Sequence, residues 1–150
     1  MTRESIIKNK KAHFNYEFIE TYVAGIVLRG NEVKSIRNGE CNINESYCIF
    51  AGKNNQEIYL NNAYISPIKS DWTSDNKNGL RLRKLLLNRK EIRKIQKYSS
   101  MPGLTVIPIK IFFQNNLAKC EIAVCRGKHD YDKRENIKKR DSEREMKSNY

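Results

Sequence analysis

The sequence predicts a mainly β domain with short helices, and three observations carry that prediction. Apolar side chains alternate with polar ones in several runs: Tyr22, Ala24, Ile26 and Leu28; Tyr47, Ile49 and Ala51; Ile107, Ile109, Ile111 and Phe113; Cys120, Ile122 and Val124. A period of two places one side-chain set on one face of a strand, as a half-buried sheet requires. Turn chemistry separates the runs, with Gly52 to Asn55 after one and Gln114-Asn115-Asn116 after another. The third observation is length, since 150 residues make one domain around one core. Short strands that switch between hairpins and helices fit a small closed barrel of OB type with flanking helices better than a parallel sheet.

Taken in order, residues 1–12 carry Arg3, Lys8, Lys10 and Lys11 with little apolar content and read as a loose basic arm. The barrel is expected over 13–127. Phe14, Tyr16 and Phe18 alternate ahead of the Tyr22 run, giving two strands or one bent strand. Gly30-Asn31 ends that run, and Asn31 caps a short helix with Val33 and Ile36 inward and Gly39 as its stop. Glu32 falls in the first turn, where a carboxylate suits the helix dipole. Ile58 and Leu60 complete a hairpin with Tyr47–Ala51. Residues 66–79 form a polar loop with Pro67 and the lone Trp72, which either packs over the barrel rim or stacks on a base. Pro102-Gly103 turns the chain into the final hairpin.

Arg81 to Lys97 holds eight basic residues against Glu91, a net +7 of the chain's formal +12. Leu82, Leu85 and Leu86, then Ile92 and Ile95, have helical spacing. Arg89 would fall inside the apolar stripe of one straight helix, so the spacing predicts one helix near 80–87 and a second restarting at Asn88. Asn88 and Glu91 form a capping-box-like pair. Crowded helical cations repel one another, so the stretch reads as a phosphate-binding platform for a polyanionic partner.

From Arg126 to Tyr150 there are nine basic and six acidic residues and almost no aliphatic ones. Asp130–Arg134, Glu135–Lys139 and Glu143–Lys147 are acid-first pairs four residues apart, each supporting helix by about 0.2–0.5 kcal/mol. Without an apolar stripe such a helix has nothing to pack on. The segment 128–150 is therefore expected to be a tail, disordered when free and helical when bound.

Composition narrows the function class. A chain 39% hydrophobic and 31% charged, with a pI near 9.6, favours nucleic acid or an anionic surface as partner. No apolar run approaches the roughly 18 residues of a spanning helix, and no signal-peptide core opens the chain, so a membrane is disfavoured and a cytoplasmic location expected. Cys41, Cys48, Cys120 and Cys125 include no C-x-x-C pair and only two histidines accompany them, so buried reduced thiols are expected and no metal. Glycine-rich phosphate loops, G-x-S-x-G, H-E-x-x-H and paired-carboxylate motifs are all missing from the sequence, which gives an enzyme no residue to stand on.

Read together, the strings resemble the SsrA-binding (SmpB) protein family. The carrying residues are Asn9-Lys10-Lys11-Ala12-His13, Ala24-Gly25-Ile26, Gly30-Asn31-Glu32-Val33-Lys34-Ser35-Ile36-Arg37 and Asn42-Ile43-Asn44-Glu45-Ser46-Tyr47. Arg81-Leu82-Arg83-Lys84-Leu85-Leu86-Leu87, Arg126-Gly127-Lys128 and Tyr131-Asp132-Lys133-Arg134 follow in the family's order. Three departures stand out: Val23 where a Glu is usual, Gly79 where a Pro is common, and a tail a turn or more shorter than in many relatives.

The resemblance implies an OB-type barrel that binds the tRNA-like end of tmRNA. The complex, alanylated and carried with elongation factor Tu and GTP, goes to ribosomes stalled without a codon in the A site. The protein stands in for the missing anticodon arm, its tail enters the vacant decoding centre and mRNA channel, and it needs no cofactor. One copy is expected to act alone and to catalyse nothing. The implied RNA contacts are Lys10, Lys11, His13, Glu32, Lys34, Arg37, Asn42, Asn44, Tyr47, Arg81, Arg83 and Lys84. The implied ribosome contacts are Lys128, Tyr131, Asp132, Lys133, Arg134 and Lys138. Chemically, Arg81 and Arg83 suit bidentate phosphate contacts and Lys84 adds a point charge. Glu32 either accepts from a base's exocyclic amine or only complements the helix dipole. Asn42, Asn44 and Tyr47 either touch loop nucleotides or shape the turn into the hairpin. Another small ribosomal or single-stranded RNA-binding OB protein is the alternative reading.

Overall fold

The structure is a computed structural model that describes residues 4–67 and 78–128. Trp72 and all of the tail beyond Lys128 lie outside the described residues. The fold is mainly β with three short α-helices. In chain order the elements are β1 (Glu4–Lys8), α1 (Ala12–Asn15), β2 (Tyr16–Ile26), α2 (Gly30–Arg37), β3 (Cys41–Asn42), β4 (Tyr47–Ala51), β5 (Glu57–Asn61), β6 (Tyr64–Ile65), β7 (Arg83–Leu86), α3 (Arg89–Ser99), β8 (Leu104–Gln114) and β9 (Leu117–Gly127). Seven strands form one antiparallel sheet in the order β1-β8-β9-β2-β7-β5-β4, and β3 pairs β6 apart from it.

The sheet curls until β4 lies against β8. The ladders among the described residues nevertheless leave β1 and β4 as its two edges, so the closed barrel expected from the sequence is not among the pairings. Inside the curl sit Ala24, Ile26, Ile36, Ile43, Ile58, Leu60, Leu85, Ile95, Ile111, Phe113, Cys120, Ile122 and Val124. Burying side chains of this size is worth about 1.5–3 kcal/mol each for the larger ones.

The 14–28 region is a four-residue helix followed by one bent strand. Phe14 falls in α1, and β2 carries a register shift between Phe18 and Glu20. The extra residue turns Phe18 to the opposite face from Tyr22, although both are even-numbered. Phe18 thereby joins a small second cluster with Ala12, Ile107 and Cys125, while Tyr22 enters the main core.

Three expectations need correction. Residues 4–8 are not a loose arm: they pair with β8, Ile7 opposite Ile111, and Ile7 packs against the core. Residues 83–86 are a strand, not a helix. Leu85-Leu86-Leu87 is an apolar run without a readable period, and β7 finds partners on both sides, β2 and β5. Two ladders outweigh a local spacing of three and four. The helix at 30–37 starts before Asn31, its cap being Arg29. Its end matches expectation: Gly39, at φ 77°, and Glu40 donate back to Ile36 and Ser35 at 3.0 and 2.8 Å, closing a Schellman motif. The restart at Asn88 is also as read, since Asn88 Oδ1 accepts the Glu91 N–H at 2.9 Å and Glu91 Oε1 accepts the Asn88 N–H at 3.3 Å.

Candidate nucleic-acid interface

The β4–β5 hairpin gives the molecule two ends. At one, Tyr47 pairs with Asn61, close to the 42–46 turn, β6 and α2; at the other, Gly52–Gln56 turns beside α3. The stretch 81–97, one platform in the sequence, spans both. Arg83 sits at the first end and Asn88 begins α3 at the second, roughly 16 Å further along the chain at strand spacing.

At the first end the central feature is buried. Arg83 is 0% exposed and Glu32 3%. The Glu32 carboxylate accepts Arg83 Nε and Nη2 on Oε2 at 2.9 and 2.7 Å, and the Arg29 N–H at 2.8 Å together with Arg81 Nη2 on Oε1. Arg83 also donates to the carbonyls of Ala63 at 2.6 Å and Gly79 at 3.1 Å. Burial pushes the Glu32 carboxyl up, but the Arg29 amide, Arg81 and Arg83 outweigh it and hold it below the usual carboxylate range. The network ties α2 to β6, β7 and the segment before β7.

This geometry corrects two expectations. Arg83 has no face left for a phosphate, because a bidentate pair and two carbonyls take its donors in a solvent-free site. Glu32 cannot accept from a base while both of its oxygens are taken. It does stand in the first turn of α2, accepting the N-cap Arg29 N–H as the helix-dipole reading has it, and it is also the counter-ion of a buried arginine. Lys84 lies on the other face of β7, half-exposed, 3.3 Å from Glu57. Arg81 is engaged with Glu32 but retains side-chain exposure of 17%.

The network supports a surface of asparagines and tyrosines. Asn42 Oδ1 accepts the Asn44 N–H, and Asn44 Oδ1 accepts the Lys10 N–H, each at 2.9 Å. These bonds shape the turn, as one reading had it, and leave both amide nitrogens without a partner among the described residues. Asn61 donates to Tyr47 Oη at 2.9 Å, and Lys11 Nζ pairs with Glu45 at 2.9 Å. Two hollows flank the turn. One, of about 200 Å³, is lined by Asn9, Tyr16, Asn44, Ser46, Tyr47 and Thr105 among others. The other, of about 230 Å³, is lined by Asn42, Glu45, Asn62, Tyr64 and Leu80.

Lys34 and Arg37 are exposed on α2, with Arg37 Cζ 4.9 Å from the Phe113 ring centroid. His13 is exposed beside Phe18, ring centroids 4.5 Å apart. Lys128 is anchored: its N–H donates to Asn15 and its Nζ to His13, both at 2.8 Å, so the chain enters the tail beside α1. Tyr131, Asp132, Lys133, Arg134 and Lys138 lie outside the described residues. Sequence reading missed Tyr64 and Leu80, both exposed at the 230 Å³ hollow. Tyr64 belongs to a two-residue strand, too short for any period to announce it.

Burial pushes the Cys41 and Cys125 thiols up to about 12, and Cys48 and Cys120 also upward. Such thiols stay protonated and are poor nucleophiles and ligands. No group of three or more metal-ligating side chains occurs among the described residues, nor any helix long and apolar enough to cross a membrane.

The family model described as SmpB protein matches residues 6–150. A protein of Mycoplasma mycoides subsp. mycoides named SsrA-binding protein is 47% identical over 150 residues, covering 100% of this chain and 99% of that one. The SsrA-binding protein of Thermoanaerobacter pseudethanolicus is 49% identical over 145 residues, 97% of this chain and 90% of its own length. Among solved structures, one described as "tmRNA-SmpB: a journey to the center of the bacterial ribosome" superposes with a TM-score of 0.66 at 37% identity, covering 88% of this chain and 94% of that one.

Proposed function

The chain belongs to the SmpB protein family, and from that premise we propose how its surface does the family's work. It is an RNA-binding protein that binds tmRNA and acts with it on the ribosome in trans-translation. It catalyses nothing itself, works in the cytoplasm as a single copy, and meets elongation factor Tu only through alanylated tmRNA. The curled sheet is an OB-type barrel whose last seam is filled by side chains between β4 and β8.

The observation that carries the reading is the first end of the hairpin. Tyr47 and Tyr64 are exposed aromatics beside the two hollows, Asn42 and Asn44 keep amide donors, and Lys10, Lys11, Lys34 and Arg37 supply charge around them. Unpaired loop bases of a folded RNA are held by stacking and edge hydrogen bonds, and its backbone by cations. The elbow of a tRNA-like fold offers both. Glu32 and Arg83 contribute indirectly, by fixing α2 against β6 and β7 so that this surface is rigid before RNA arrives.

The tail is the ribosomal half. Eight cations among six acids favour a polyanionic surface, and Tyr131 stacks on a decoding-centre base beside phosphates held by Lys133 and Arg134, with Lys128, Asp132 and Lys138 flanking them. The test measures affinity for the tRNA-like fragment and peptide tagging on ribosomes with truncated messages. Truncation after Gly127 leaves fragment affinity within about twofold and abolishes tagging. Normal tagging by the truncated protein overturns the tail mechanism; loss of fragment affinity moves the tail into the tmRNA interface.

A further inference from the structure

The hollow of about 230 Å³ is walled by two apolar side chains that folding leaves open, Tyr64 and Leu80, 41% and 37% exposed. The Tyr64 ring is nevertheless fixed. The backbone of Gly79 runs along one edge of it, so close that an added Cβ would come within 2.9 Å of Tyr64 Cε2. The Ile65 N–H donates to the Gly79 carbonyl at 3.1 Å and holds the two segments together. Only glycine, at φ 76°, lets the backbone lie that near the ring. An aromatic ring braced on one edge and open elsewhere is a stacking platform that loses little freedom when a flat ligand arrives.

The polar lining has a defined donor and acceptor set, because backbone partners orient both amides. Asn42 Oδ1 accepts the Asn44 N–H at 2.9 Å, so its Nδ2 remains a donor. Asn62 Nδ2 donates to the Glu45 carbonyl at 3.1 Å, so its Oδ1 remains an acceptor. Glu45 gives Oε1 to Lys11 at 2.9 Å and keeps Oε2 without a partner among the described residues. The hollow thus offers one donor and two acceptors, one of them charged. A carboxylate repels a phosphate backbone but accepts strongly from the N–H groups of a base edge. Guanine alone among the four bases presents two adjacent donors, N1–H and the N2 amine, next to an acceptor, O6. Adenine, cytosine and uracil each bring a single donor group and would leave one acceptor unanswered.

We propose that this hollow reads one unpaired guanine of the bound RNA: the base stacks on Tyr64 beside Leu80, Glu45 and Asn62 accept its N1–H and N2 amine, and Asn42 donates to its O6. The inference rests on the proposed RNA surface and gives it a base identity. Glu45 thereby holds the role that burial denies Glu32, and Lys11 keeps it charged and in place. Unpaired bases are the part of a folded RNA whose Watson–Crick edges are free to be read in this way.

The experiment uses the full chain and the tRNA-like fragment of tmRNA, made once with guanine and once with inosine at its unpaired guanine positions. Inosine lacks the N2 amine and keeps the rest of the edge. Wild type is expected to bind the inosine form about tenfold more weakly, the loss of one hydrogen bond to a charged group. Glu45→Gln is expected to lose about tenfold on the guanine form and little more on the inosine form, so that the two changes are coupled. Tyr64→Ala should lose roughly 5- to 150-fold on either form, since inosine stacks as guanine does. Lys11→Gln, a loss of charge, should weaken both forms alike, and circular dichroism checks the fold of each variant. Wild type indifferent to inosine, or Glu45→Gln as sensitive to inosine as wild type, overturns the guanine site. Free GMP that displaces the fragment at micromolar concentration also overturns it, and assigns the hollow to a mononucleotide. Failure of wild type to prefer the fragment over an unrelated RNA of equal length refutes the tmRNA reading instead. The guanine-to-inosine comparison, made on both RNAs, then judges the hollow by itself.

Discussion

Replacing Glu32 by Gln removes the charge that neutralises Arg83 and keeps the volume. Arg83 stays where it is, 0% exposed, with its Nε and Nη2 donors facing an amide in place of a carboxylate. Only one oxygen remains to accept, so either the Arg83 donors on one side or Arg81 and the Arg29 N–H on the other meet an NH2 group that cannot accept. Removing one partner of a buried pair leaves an uncompensated interior charge and costs about 3–5 kcal/mol. For a chain of this size that is roughly 6–20 °C in midpoint temperature. The assay is urea unfolding followed by circular dichroism, with a double-mutant cycle to Glu32→Gln/Arg83→Met. The double variant is expected to recover part of the loss, because an apolar side chain no longer needs a counter-charge. A Glu32→Gln protein within about 1 kcal/mol of wild type that loses selectivity for the tRNA-like fragment would refute the structural role, and would mean that Glu32 reads a base after all.

Acid should act through the same carboxyl. Its folded pKa is lowered, so its contribution is complete above the unfolded value of about 4.3 and disappears as pH falls through the folded value. Urea midpoints of wild type should therefore drop below pH 4, and those of Glu32→Gln less steeply. Gly79→Ala should destabilise by at least about 1–2 kcal/mol, since residue 79 has φ 76° and an added Cβ would meet the Ile65 carbonyl oxygen at 2.7 Å. A neutral result by denaturant titration would contradict that backbone. Asn88→Ala should cost about 1 kcal/mol through the lost cap of α3, and an Asn88→Asp protein should lose much less.

What the sequence made legible follows from how local the cause was. The Asn88–Glu91 cap, the Gly39 stop and the two hairpins are each fixed by residues within a few positions, and each was readable. β7 was misread because its reason is non-local: Arg83 enters the core only because Glu32, 51 residues earlier, is there to receive it. A sequence records two charged residues and not their distance, so a buried pair looks the same as two surface groups. The same blindness hid the division of the basic stretch, in which Arg83 is a core residue and Arg93 a surface one. Gly79 carried a usable signal, since its positive φ is one that proline cannot adopt.

The central claim is that one structured RNA, tmRNA, is the chain's ligand. The most direct measurement is to recover the protein from its own cells under mild salt and sequence the RNA that accompanies it. The account predicts tmRNA enriched far above its cellular share, and lost on raising the salt. A mixture in proportion to cellular abundance, with tmRNA no more enriched than transfer or ribosomal RNA, would contradict it.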